Sequence, residues 1–210
     1  MKTVTFLLAF LISVSGIASD KYTEQMSKYI NTVYTAKTVE EYQAAINALE
    51  RIGAAEKTKW EPYYYSAFGN LMLATKESEG GKKDGFLNLA LASIEKGKAV
   101  APTESELIAL EGFVHMIRVT VDPVTRGQQY SGMAFQSFGK ALSSNPNNPR
   151  AQALMAQMQF GTAQFFGSST AEACGLAKKA LEQFSIYKSE NPLAPVWGKE
   201  MAEELLKQCK

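Results

Sequence analysis

AFQSFGKALSSNPNNPRAQALMA, residues Ala134 to Ala156, reads as the end of one helix, a proline turn and the start of the next. Ala134, Phe138 and Ala141 fall at i, i+4 and i+7, so they share one stripe of a helix. Pro146 follows five residues later, where it helps to stop that helix. A second stripe of small residues then begins, with Ala156 ten residues beyond the proline.

The same unit recurs in both directions. Ala90, Ile94, Gly97 and Pro102 repeat the spacing upstream, and Ala180, Phe184, Tyr187 and Pro192 repeat it downstream with Tyr187 in place of a small residue. Ala45, Leu49 and Ile52 form an earlier copy that lacks the proline. The copies at residues 45, 90, 134 and 180 lie 45, 44 and 46 residues apart. Gly112, Ala156 and Ala202 each stand ten residues after a proline, and Gly69 is the matching position of the first copy. A small residue at fixed phase lets two helix backbones approach while a large residue of the neighbour fills the space between them. The pattern therefore predicts stacked helix pairs, with helices at 20–36, 38–53, 60–77, 84–100, 104–120, 127–144, 149–166, 171–189 and 195–208. Thr38 with Glu41, and Thr103 with Glu106, have the spacing of capping boxes. Gly80-Gly81, Asp122-Pro123 and Gly167-Ser168-Ser169 are breakers, which predicts inner loops at Glu77–Lys83, Thr120–Arg126 and Gly167–Thr170, all on one edge of the stack.

These residues resemble the tetratricopeptide repeat (TPR) family, whose second helix carries small, aromatic and small residues followed by a proline. Ala134, Phe138, Ala141 and Pro146 match that helix, and Gly112 and Ala156 match the small position of the first helix. The family repeats at 34 residues, so the period here is about ten residues longer; longer first helices and inner loops would absorb the difference. The resemblance implies an all-α, right-handed solenoid of about four antiparallel helix pairs over residues 20–210. It also implies a protein-interaction module whose first helices line a concave groove. Carried over position by position, that groove is Ser66 and Asn70, then Ala109, Phe113 and Met116, then Ala153, Gln157 and Phe160. The surface is apolar and uncharged polar, and lacks the Lys, Asn and Arg set that clamps a peptide carboxylate. An extended or helical apolar segment suits it better.

The chain starts with MKTVTFLLAFLISVSGIAS, one Lys before an apolar run and small residues after it, the form of a secretory signal peptide over residues 1–19. The run is shorter than the roughly 20 residues of a spanning helix, and no Cys follows it for lipid attachment, so no stable membrane anchor is expected. Cleavage is expected after Ala18 or Ser19, with export to the periplasm or the medium. The 22 basic and 21 acidic residues of the whole chain leave no bulk charge for nucleic acid or an anionic membrane.

Export makes Cys174 and Cys209 candidates for a disulfide. They lie at nearly equal distances on either side of Pro192, as facing positions of two antiparallel helices would. Each also sits on its helix's apolar stripe, Cys174 with Ala177 and Leu181, Cys209 with Ala202 and Leu205.

Catalytic chemistry finds little support. His115 is the one histidine, and no Ser or Cys in a nucleophile motif accompanies it. One His and two distant Cys make no zinc site, and no carboxylate run has calcium-loop spacing, so neither cofactor nor metal is expected. Gly80-Gly81-Lys82-Lys83 lacks the order of a phosphate loop. Trp60-Glu61-Pro62-Tyr63-Tyr64-Tyr65-Ser66-Ala67-Phe68 is the most aromatic stretch, either a stacking platform or packing between repeats. The expected function is thus a protein or peptide scaffold working through its groove. The alternative is a helical bundle around a small apolar ligand, and an enzyme ranks third.

Overall fold

The structure is a computed structural model that describes the backbone of residues 14–209 and the side chains of residues 21–209. Most of the expected signal peptide lies outside the described residues. The turn around Pro146 forms as the spacing predicts. A helix ends at Ser144, and Asn148 caps the next, its side chain accepting from the Ala151 N–H at 3.0 Å. Helices occupy α1 (Val14–Thr35), α2 (Val39–Ala55), α3 (Glu61–Lys76), α4 (Gly80–Val100), α5 (Ser105–Val119), α6 (Pro123–Ser144), α7 (Pro149–Phe166), α8 (Ala171–Ile186) and α9 (Lys199–Lys207). No strand occurs among the described residues.

The helices form a two-layered stack. The odd-numbered helices build one layer in which α1 meets α3, α3 meets α5, α5 meets α7 and α7 meets α9. Each even-numbered helix packs on the odd helices that flank it, while the even helices make no comparable contact with one another. A layer whose members touch is shorter than one whose members are spread apart, so the odd layer is the inner, concave one.

Small and large residues interlock between the layers at the predicted positions. Ala134, Phe138 and Ala141 are all fully buried. The Phe138 ring occupies the space beside Gly112, where a Cβ would stand 2.6 Å from Cδ1, too close to fit. Gly69 plays the same part for Ile46, whose Cγ1 would be 2.8 Å from an added Cβ. At these two positions a missing side chain seats the neighbour's large one.

Several boundaries differ from the sequence reading, each for a local reason. The long period is absorbed mainly by the outer helices, with 21 residues in α4 and 22 in α6, rather than by long inner loops. Gly80 and Gly81 belong to the first turn of α4. Pro123 opens α6, since a proline in the first turn loses no hydrogen bond, and Asp122 caps it by accepting from Thr125. The Thr38–Glu41 capping box forms, with both bonds present. The expected Thr103–Glu106 box does not. Glu104 is the cap of α5, and the Glu106 carboxylate turns inward to an arginine. α8 ends at Ile186 and α9 starts only at Lys199, because Pro192 and Pro195 interrupt helical bonding and Gly198 takes a φ of 106° to start the last helix.

Cys174 and Cys209 form a disulfide that ties α8 to α9, with Cα atoms 6.0 Å apart. A cross-link of this kind suits an oxidising compartment. None of the described helices is long and apolar enough to cross a membrane.

Candidate functional surface

The twelve residues between α8 and α9, Tyr187 to Gly198, cross the inner face as an extended strap. Tyr65 Oη donates to the Leu193 carbonyl at 2.8 Å, Asn191 Nδ2 donates to Glu61 Oε1 at 2.9 Å, and Trp197 Nε1 donates to Tyr64 Oη at 2.9 Å. The Trp197 ring stacks on Phe68 at 5.1 Å and tilts against Phe113 at 5.6 Å. Much of the Trp60–Phe68 aromatic segment is therefore occupied by the protein itself. Trp60, Tyr64, Tyr65 and Phe68 form an edge-to-face and stacked cluster, with Tyr64 and Tyr65 almost wholly buried. Burial, before any other influence, holds both phenols above their ordinary pKa, so they act as neutral hydrogen-bonding groups.

Beneath the strap lies a buried ion pair. Arg150 Nε and Nη2 reach Glu106 Oε2 and Oε1, both at 2.7 Å, with Arg150 only 1% exposed. The guanidinium also faces the ring of Tyr187 at 4.8 Å, so it connects α5, α7 and the start of the strap.

The six expected partner-binding residues do not share one open face. Ser66 is fully buried and points between α2 and α4, bonded to Glu50 at 2.6 Å and to Ser93 at 3.0 Å. Asn70 is buried and donates to the Ser66 carbonyl. Phe113 is covered by Trp197. Phe160 is 5% exposed and packs against Ala173 and Ala177 of α8 and Leu205 of α9. Of the remaining two-helix-wide strip, Ala109 and Ala153 are buried, while Met116 and Gln157 keep part of their surface. Gln157 lines a small open groove of about 300 Å³ with Glu200, Met201 and Leu205 of α9.

His115 is buried, its ring stacked on Tyr130 at 6.1 Å and its Nδ1 without a protein partner. Desolvation holds its pKa below the ordinary value, so it is a neutral interior group at pH 7. Among the described residues no three His, Cys, Asp or Glu side chains gather as metal ligands.

Two other surfaces remain open. One is a groove of about 590 Å³ between α1 and α2, lined by Lys21, Tyr22, Lys28 and Tyr29 on one side and Arg51 and Ile52 on the other. Its residues were missed in reading the sequence, although Lys21-Tyr22 and Lys28-Tyr29 repeat one dipeptide seven residues apart and so on one helix face. The other is the end of α7, where Phe165 and Phe166 are 70% and 74% exposed and pack edge-to-face. Val124 in the first turn of α6 is also exposed, and the antiparallel course of α6 and α7 places it on the same edge of the stack.

Stacked helix pairs with open grooves on their surface define the class of an all-α helical-repeat protein. No family model matches the sequence, and no curated protein matches it. Among solved structures the chain is similar to the HusA haemophore from Porphyromonas gingivalis, with 28% identity and a TM-score of 0.79 over 90% of this chain and 92% of that one. It also shares its fold with a TPR protein of Thermus thermophilus, at 16% identity and a TM-score of 0.58, covering 92% of this chain and 95% of that one.

Proposed function

We propose that this chain is an exported tetrapyrrole-binding protein, a carrier of haem or a closely related ring. The observation that carries the reading is the likeness to a haemophore across nine-tenths of both chains. The disulfide and the signal-peptide form of residues 1–19 support export. With its single histidine buried, the protein would hold the ring by aromatic and ionic contacts rather than by an exposed imidazole. Titration of haemin into the purified protein, followed in the Soret band, should give a saturable change with a Kd near or below 1 μM, about −8 kcal/mol. A linear response equal to that of the urea-unfolded chain would overturn the proposal.

A second reading retains a protein or peptide partner, favoured by the exposed Phe165 and Phe166. A pair of large apolar rings side by side on a loop edge is the kind of surface that anchors an interface. Met116 and Gln157 extend the inner face in this reading, with Ser66, Asn70, Phe113 and Phe160 supporting it from beneath. Capture of a partner from the exported fraction should be lost when Phe165 and Phe166 are both changed to Glu. Unchanged capture would remove these rings from the interface.

A further inference from the structure

The structure assigns the groove between α1 and α2 as the seat of a flat, dianionic aromatic ring, which on the tetrapyrrole reading given above is the haem site. Its volume of about 590 Å³ lies within the roughly 300–1,000 Å³ typical of small-ligand sites. Two features of the sequence create it. On α1, Tyr22 and Tyr29 stand two turns apart on one face. Opposite them α2 presents Ala48 and Ala55, again seven residues apart, so large rings face small side chains and the helices leave a slot instead of interdigitating.

The slot's chemistry is complementary to a macrocycle with two carboxylates. Tyr22, Tyr29 and Ile52 supply apolar and aromatic surface for the ring face. Lys21, Lys28 and Arg51 stand on the rim, and Glu56 is the one acid lining the groove, which leaves a surplus of two positive charges for the two carboxylates. Lys28 lies 5.4 Å from the centre of the Tyr29 ring, so a cation and an aromatic face are already presented together. Neither Lys28 nor Arg51 has a salt-bridge partner among the described residues. Elsewhere Lys98 of α4 is paired with Glu95 and Glu111, and Arg150 of α7 with Glu106.

The test compares haemin binding by the wild type with two variants at the groove and one at the α7 edge. Ala55→Trp fills the slot from an exposed position and removes no contact. Lys28→Glu with Arg51→Glu reverses two exposed rim charges. Both should weaken haemin binding at least tenfold with unchanged far-UV circular dichroism and melting temperature, while Phe165→Ser with Phe166→Ser should bind as wild type. If the wild type binds and the groove variants bind equally well, the site assignment is overturned and the tetrapyrrole reading stands. If the wild type shows no saturable binding, the tetrapyrrole reading falls and the assignment with it.

Discussion

Changing Glu106 to Ala should destabilise the fold by about 3–5 kcal/mol, the cost of leaving a buried charge without its partner. Arg150 is 1% exposed and its two bonds to Glu106 are its ionic contacts, so after the change the guanidinium has neither carboxylate nor water. Exposed pairs of this chain set the contrast. Lys207 and Glu204 meet at 2.8 Å with side chains 72% and 65% exposed, and breaking them should leave the unfolding midpoint almost unchanged because water already screens them. Equilibrium unfolding in urea measures both. Combining Glu106→Ala with Arg150→Met should recover most of the loss, because the double change removes the orphaned charge and keeps an apolar stem against Tyr187 and Phe184. A Glu106→Ala variant that unfolds at the wild-type midpoint would show that the pair lies open to solvent.

Replacing both cysteines with serine should cost about 3–5 kcal/mol, the range expected when a loop of the observed 35-residue separation is no longer closed in the unfolded chain. The effect should also be local. The loop contains most of α8, the whole strap and α9, and α9 has nine residues, too few to be stable by itself. Leu205 and Ala202 still have apolar partners on α7 and α8, so the stack itself should persist. Hydrogen exchange should therefore show faster opening of α9 amides in the variant while α3, α5 and α6 exchange as in the wild type. Uniform acceleration across all helices would mean that the strap and α9 are part of the global folding unit instead. Addition of reductant to the wild type should reproduce the variant's pattern.

Much of the architecture was legible because it rests on short-range periodicity. Ala134, Phe138 and Ala141 mark a helix face whatever surrounds them, and the prolines mark its end. The facing positions of Cys174 and Cys209 could be read because two helices joined by one connection bring equidistant residues together. The groove was not legible in the same way. Transfer of inner-face positions from a 34-residue repeat assumed that the inner face is bare, and nothing near Ser66 or Phe113 announces that Trp197, more than 80 residues further on, lies over it. Glu106 shows the same limit. Its spacing from Thr103 suited a capping box, yet a buried arginine is the stronger partner for a carboxylate than one backbone N–H.

By itself the sequence determined the all-α class, the nine helices of the described residues, the small-for-large exchange at Gly112 and Phe138, and the two cysteines' register, because each depends on residues a few turns apart or symmetric about one connection. Only the tertiary structure decided which surfaces stay open. The strap, the Arg150–Glu106 pair and the slot between α1 and α2 arise from residues that meet across long stretches of chain or across a helix pair. Whether facing side chains interdigitate or leave space depends on both helices at once, which is why the open groove became visible only in the folded molecule.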